Sequence, residues 1–146
     1  MKVALVIHKF SPAGGAERQC VNFARFLVGK GHEVHVFARL IAPGNGYVAH
    51  QVPPEGMFRH QSFDMQCRKL LEKESFDVIH SYCRTSYQDI LRLGGGTHRE
   101  YLIRTDPVYS VFGRMWRNIR PKERLELTLE KESFAPWASK KIVAVS

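Results

Sequence analysis

The stretch "SPAGGAERQ", Ser11 to Gln19, sets two adjacent glycines where an apolar run, "KVALVIH", gives way to an amphipathic segment, "AERQCVNFARFLVGKG". Gly14 and Gly15 lack a Cβ, so backbone there can approach a ligand closely or take a positive φ. A helix that starts at this point directs unpaired N–H groups and the positive end of its dipole outward. That chemistry suits a phosphate. The same glycines also suit a plain strand-to-helix turn. Other chemistries lack their residues. There is no G-x-G-x-x-G, and "EVHVFAR" ends in Arg39 where a dinucleotide site needs an acidic residue. No G-K-[ST] follows the glycines, no carboxylate pair of the glycosidase kind is visible, and His8 and Lys9 stand where a phospho-acceptor domain needs clustered acids. Cys20, Cys67 and Cys83 are odd in number, far apart and without CxxC, which fits a reducing cytoplasm and offers neither a disulfide framework nor a metal site.

Positioning these residues takes alternating strands and helices. "KVALVIH" reads as a strand buried on both faces. Val21, Phe23, Ala24, Phe26, Leu27 and Val28 give the next segment a broad apolar helix face, which Gly29 and Gly31 stop. "EVHVFAR" is a second strand, "LIAPGNG" a loop and "YVAHQV" a third strand. A helix follows over "SFDMQCRKLLEK", with Phe63, Cys67, Leu70 and Leu71 inward. "FDVIHSY" and "DILRLGGG" are further strands, the span from Thr97 to Phe134 is mostly helical with breaks near Pro107 and Pro121, and "KKIVAVS" is a last strand. This alternation predicts a Rossmann-like, doubly wound parallel α/β sheet with "KVALVIH" central and "EVHVFAR" beside it. Ligands of such sheets bind beyond the carboxyl ends of the strands. Residues 8–18, Arg39, residues 80–84 and residues 94–99 are therefore expected around one crevice.

At 146 residues the chain is expected to form one domain, residues 1–146. No apolar stretch approaches the ~20 residues of a membrane span, and no signal-peptide cleavage site follows the first strand. The formal net charge is +8. Basic residues concentrate between Arg99 and Arg124, interleaved with Tyr109, Phe112 and Trp116. A solvated face, a surface for anionic lipid or phosphorylated glycolipid, and a nucleic-acid site all fit such charge. Nucleic acid is disfavoured because no helix-turn-helix, zinc-finger or RNP-type pattern accompanies it.

The run "HKFSPAGGAERQCVNFARFLVGKGHEVHVFA" resembles the amino-terminal opening of a GT-B glycosyltransferase of the retaining, family-four type. "FDVIHSY" is similar to the family's later strand, and "RLGGGTHREYL" and "KKIVAVS" resemble the branch of lipopolysaccharide-core glucosyltransferases. The resemblance implies an amino-terminal, acceptor-side domain, with a carboxy-terminal nucleotide-sugar domain and its Glu-x7-Glu signature absent from this chain. It implies no turnover by the isolated fragment. Gly14 and Gly15 would face the donor diphosphate. Arg18, His80 and Arg99 would contact acceptor or phosphate. His98 would be the polar, catalytic group near the reacting sugar, or else a helix-start histidine. A nucleotide-diphosphate sugar is the implied donor, with no metal and no cofactor. A glycolipid or saccharide is the acceptor, and the place of work is cytoplasmic, peripheral on the inner membrane face. The alternative is a non-catalytic α/β module that binds nucleotide or phosphate.

Overall fold

The structure, a computed structural model, describes residues 1–53, 59–94, 96–105 and 120–144. Along the chain run β1 (Lys2–Val6), β2 (Lys9–Phe10), α1 (Gly15–Gly29), β3 (Glu33–Ala38), β4 (Leu40–Ile41), β5 (Val48–Gln51), α2 (Arg59–Leu71), β6 (Val78–Ser81), β7 (Ile90–Leu93), α3 (His98–Thr105), α4 (Pro121–Ser133) and β8 (Lys141–Ala144). Six strands form one sheet in the order β5-β3-β1-β6-β7-β8, and every pairing is parallel. This is the expected doubly wound sheet, with β1 in the middle and β3 beside it.

The apolar run of β1 is explained by its two covered faces. Val3, Leu5 and Ile7 join Val34, Val36 and Ala38 under α1. Ala4 and Val6 join Phe37 and Ile79 under α2. On α1 the buried residues are Cys20, Val21, Ala24 and Leu27, a helical spacing that makes one stripe. Phe26, expected on that face, falls outside the stripe and is exposed. The helix stops as its glycines suggest. Gly31 has φ +79°, its N–H donates to the Val28 carbonyl at 2.9 Å, and the His32 N–H donates to the Leu27 carbonyl at 3.1 Å. That is a Schellman closure, which needs a left-handed residue at Gly31. On α2, Phe63, Cys67 and Leu71 are buried at four-residue intervals, while Leu70 is half-buried at the cluster's margin.

Two features depart from the sequence reading. Leu40–Ile41, within the stretch read as a loop, pairs in parallel with Lys9–Phe10 as a second small sheet. It prolongs the β1–β3 ladder, since the Arg39 N–H donates to the His8 carbonyl at 3.1 Å and the Ala42 N–H to the Phe10 carbonyl at 2.8 Å. Buried Phe10, packed edge-on to Tyr47, anchors it. At the other sheet edge β8 pairs with β7 yet leaves all four of its residues exposed. Among the described residues no helix is long and apolar enough to cross a membrane.

Candidate active site

Strand order reverses beside β1: β3 and β5 extend to one side, β6, β7 and β8 to the other. A crevice opens at such a switch point, beyond the strands' carboxyl ends. A cavity of about 310 Å³ lies there. His8 comes to it from the end of β1, Tyr82, Cys83 and Arg84 from the end of β6, and Arg92, Leu93, Gly94 and Gly96 from the end of β7. Ala16 in the first turn of α1, His60 in α2, and Glu126 and Leu129 in α4 close it. Hollows of about 520 and 580 Å³ are larger but lie elsewhere. The first is bordered by Glu74, Asp89 and Lys140, at the entry ends of strands; the second lies between α3 and α4.

Two arginines set the crevice's charge. The Arg84 guanidinium donates to Glu130 Oε2 at 3.1 Å and to the Gly96 carbonyl at 3.3 Å. Arg92 donates to Gln19 Oε1 and lies over the Tyr82 ring, 5.2 Å from its centroid. The Nε of each arginine is buried with no hydrogen-bond partner among the described residues. Burial, reinforced by Cys20, pushes the Tyr82 phenol up to about 12 against the pull of Arg92, so it remains protonated. Cationic and hydroxyl donors thus line a concave site. They fit an anionic or polyhydroxylated ligand.

His8 brings a different property. Burial, helped by His60 and Arg39, holds its pKa down to about 3. Its Nε2 lies 3.1 Å from His60 Nδ1, and its buried Nδ1 has no hydrogen-bond partner among the described residues. His60 in turn lies 3.8 Å from Glu126. A neutral imidazole in this position exchanges hydrogen bonds with hydroxyl groups and does not supply positive charge. Stability should carry the signature of such histidines. The unfolded chain gains a proton as pH falls through about 6.5. Folded His8 does not, and neither does His80, which burial and Arg92 hold down to about 4. Stability should therefore fall as pH drops from 6.5 to 4.5, with partial solvation keeping each group's slope below ~1.4 kcal/mol per pH unit. Urea midpoints between about pH 6.5 and 5.5, where carboxylates stay largely ionised, should show a shallower slope in His8→Gln. An unchanged slope would mean that His8 protonates freely in the fold.

The family model described as Glycosyltransferase Family 4 matches residues 13–146. The chain belongs to glycosyltransferase family 4. Among solved structures, it is similar to the crystal structure of WaaG, described as a glycosyltransferase involved in lipopolysaccharide biosynthesis, with a TM-score of 0.80 at 18% identity. The match covers 95% of this chain and 37% of that one, so the chain spans little more than a third of the length of WaaG. At that identity the likeness establishes the fold, that of the amino-terminal half of a GT-B glycosyltransferase. No curated protein sequence matches.

Within this family-4 domain the expected site residues separate. Gly14 precedes α1 with φ +97° and ψ 167°, a region essentially reserved for glycine. A Cβ there would also meet the Glu17 carboxylate, which folds back over the helix start. Gly15 differs: its φ is not positive, and a Cβ would find nothing within 4 Å. Gly14→Ala should thus cost ~1–3 kcal/mol while Gly15→Ala leaves stability nearly unchanged. Equal denaturation midpoints for the two variants would contradict the assigned backbone. Of this turn only Ala16 reaches the cavity wall; Arg18 is exposed on α1 and is not among the lining residues.

His80 does not meet the crevice either. It faces α1 from within β6, edge-on to Phe23 and stacked on Tyr82, so that it backs the wall. His98 begins α3, two residues beyond Gly96. Its Nε2 lies 2.6 Å from Glu123 Oε2, and its N–H donates to Glu130. Arg99 follows, its N–H donating to Glu130 Oε1 at 3.1 Å, its residue bordering the hollow between α3 and α4. Gly95 lies outside the described residues. The crevice residues that sequence reasoning missed are Arg92, His60 and Glu126. Arg92 left one signal, a charge near the end of an apolar strand, "ILRL". His60 and Glu126 sit on polar helix faces that look like ordinary surface.

Proposed function

We propose that this chain is the acceptor-side half of a retaining hexosyltransferase that moves a hexose from a nucleotide sugar to a membrane glycolipid or lipopolysaccharide-core acceptor. The observation that carries this reading is an arginine-walled crevice at the switch point of a family-4 chain. In such a transfer the bond from the sugar's anomeric carbon to the diphosphate breaks. A bond to the acceptor oxygen forms on the same face, and the acceptor proton leaves with the diphosphate. The protein's main service is to stabilise charge growing on that diphosphate. The helix start at Gly14–Gly15 would supply N–H donors. Arg84 and Arg92 would orient phosphate or hydroxyl groups of the acceptor. A second α/β unit would hold the rest of the nucleotide sugar, which is a substrate; no metal or cofactor takes part in this reading. The test is sugar transfer by the complete enzyme, with a panel of nucleotide sugars against glycolipid acceptors. Binding of nucleotide without transfer would favour a non-catalytic module.

In this reading the enzyme works peripherally at the cytoplasmic membrane face and not on nucleic acid. Arg99, Arg104, Arg120, Lys122 and Arg124 are exposed on or beside α3 and α4, whereas Arg114, Arg117, Tyr109, Phe112 and Trp116 lie outside the described residues. Co-sedimentation should show preference for vesicles of phosphatidylglycerol over phosphatidylcholine. It should weaken as salt shortens the Debye length from ~8 Å at 0.15 M to ~3 Å at 1 M. Equal binding to both vesicles would reduce these cations to a solvated surface.

A further inference from the structure

Away from the crevice, three potential metal ligands meet on the α2 face of the sheet. His35 lies on β3, His50 on the edge strand β5 and Glu74 in the turn that leads to β6. Their ligand atoms all fall within 4.8 Å of one another. His35 Nδ1 is 2.8 Å from His50 Nε2 and 3.9 Å from Glu74 Oε2. Both rings are fixed by packing. His50 stacks on Phe37 with centroids 4.3 Å apart, and Phe76 meets His35 edge-on at 5.2 Å.

The hydrogen bonds explain why this is more than a polar cluster. Glu33 Oε1 lies 2.8 Å from His35 Nε2. A carboxylate there holds the hydrogen on Nε2 and leaves the Nδ1 lone pair directed toward His50. That is the carboxylate–histidine arrangement that orients metal-bound imidazoles. Two imidazole nitrogens and one carboxylate are a donor set for zinc, with the solvent side of exposed Glu74 left for water. Zinc bonds of ~2.0–2.1 Å put tetrahedral ligand atoms about 3.3 Å apart. The imidazole pair must therefore open by about half an ångström, while Glu74 must close by about half an ångström on His35 and by up to about 1.5 Å on His50.

We propose that His35, His50 and Glu74 form a zinc-binding site that ties the edge strand β5 to the turn before β6. The proton between the two imidazoles moves to His50 Nδ1 as zinc takes its place. Lys2 is the competitor, because its ammonium holds Glu74 Oε2 at 2.7 Å; it keeps a second carboxylate, Glu33, at 3.7 Å. The role is structural. The cluster gathers residues near the strand entry ends, Lys2, Glu33 and Glu74, while the crevice lies at the exit ends. It secures an edge strand in which His50 alone is even partly buried.

Zinc titration of the purified protein against a chromogenic chelator is the test. One zinc per chain should bind with micromolar or tighter affinity and raise the melting temperature. His50→Ala and the surface variant Glu74→Gln should each weaken binding at least tenfold. Lys2→Met should strengthen it, and His8→Ala should leave it unchanged. Imidazole 15N shifts of His35 and His50 should move on zinc addition. Absence of saturable one-to-one binding, undiminished affinity in both His50→Ala and Glu74→Gln, or loss with His8→Ala would overturn the site. The last result would move zinc to the His8–His60–Glu126 group.

Discussion

His98→Ala should lower kcat of the complete enzyme by roughly 10²–10³, the effect of removing a preorganised transition-state donor, with KM for the nucleotide sugar nearly unmoved. The imidazole is fixed at the start of α3, although His98 is not among the residues that line the crevice. Glu123 fixes its Nε2 at 2.6 Å, and its own backbone is pinned at the start of α3 by Glu130. The contrasting variant is Gly15→Val. Position 15 has no positive φ and open space around a Cβ, so valine should fold without strain and still intrude beside the helix start. It should raise KM for the donor and leave the melting temperature in place. Steady-state kinetics with donor and acceptor varied in turn separates the two effects. Wild-type kinetics from both variants would return these residues to a packing turn and a helix-start histidine.

Glu130→Ala should cost about 3 kcal/mol, the low end for stripping one partner from a buried ion pair. Glu130 is 5% exposed, and its carboxylate satisfies three donors at once: the N–H groups of His98 and Arg99, and the Arg84 guanidinium. Two of the four unpaired N–H groups at the start of α3 thus depend on a residue of α4. Arg84 is partly solvated, which keeps the cost from the upper end. Glu130→Gln, which retains an acceptor but not the charge, should lose roughly half as much as alanine. Urea denaturation measures both. A loss below ~1 kcal/mol for alanine would show that α3 docks without this anchor.

The sequence by itself determined the sheet. A run such as "KVALVIH" suits a strand covered on both faces, the usual state of a strand inside a parallel sheet, and β1 lies between parallel β3 and β6. Gly31 announced the end of α1 because the Schellman turn requires a residue tolerant of φ +79°. The double glycine marked a helix start, and one of the two, Gly14, has a backbone that demands glycine. Periodicity also had a limit. It placed Phe26 on the apolar face, yet the sheet covers only the stripe of Cys20, Val21, Ala24 and Leu27.

Tertiary structure alone decided the site's membership. Hydrophobic periodicity reports which side of an element is covered, but not which residues of distant elements arrive at the same point. Hence Glu126 and His60 read as surface until α4 and α2 carry them to the strand ends. His80 read as a strand-end residue, yet strand register puts it opposite Leu5, under α1. Leu40–Ile41 read as loop because a two-residue ladder has no period of its own. His35 and His50, fifteen residues apart, match no metal-ligand spacing. They become neighbours because parallel pairing sets Phe37 beside His50 and leaves His35 two positions back on the same face. Sheet register, a property of paired backbones, makes that meeting, and no local pattern of side chains encodes it.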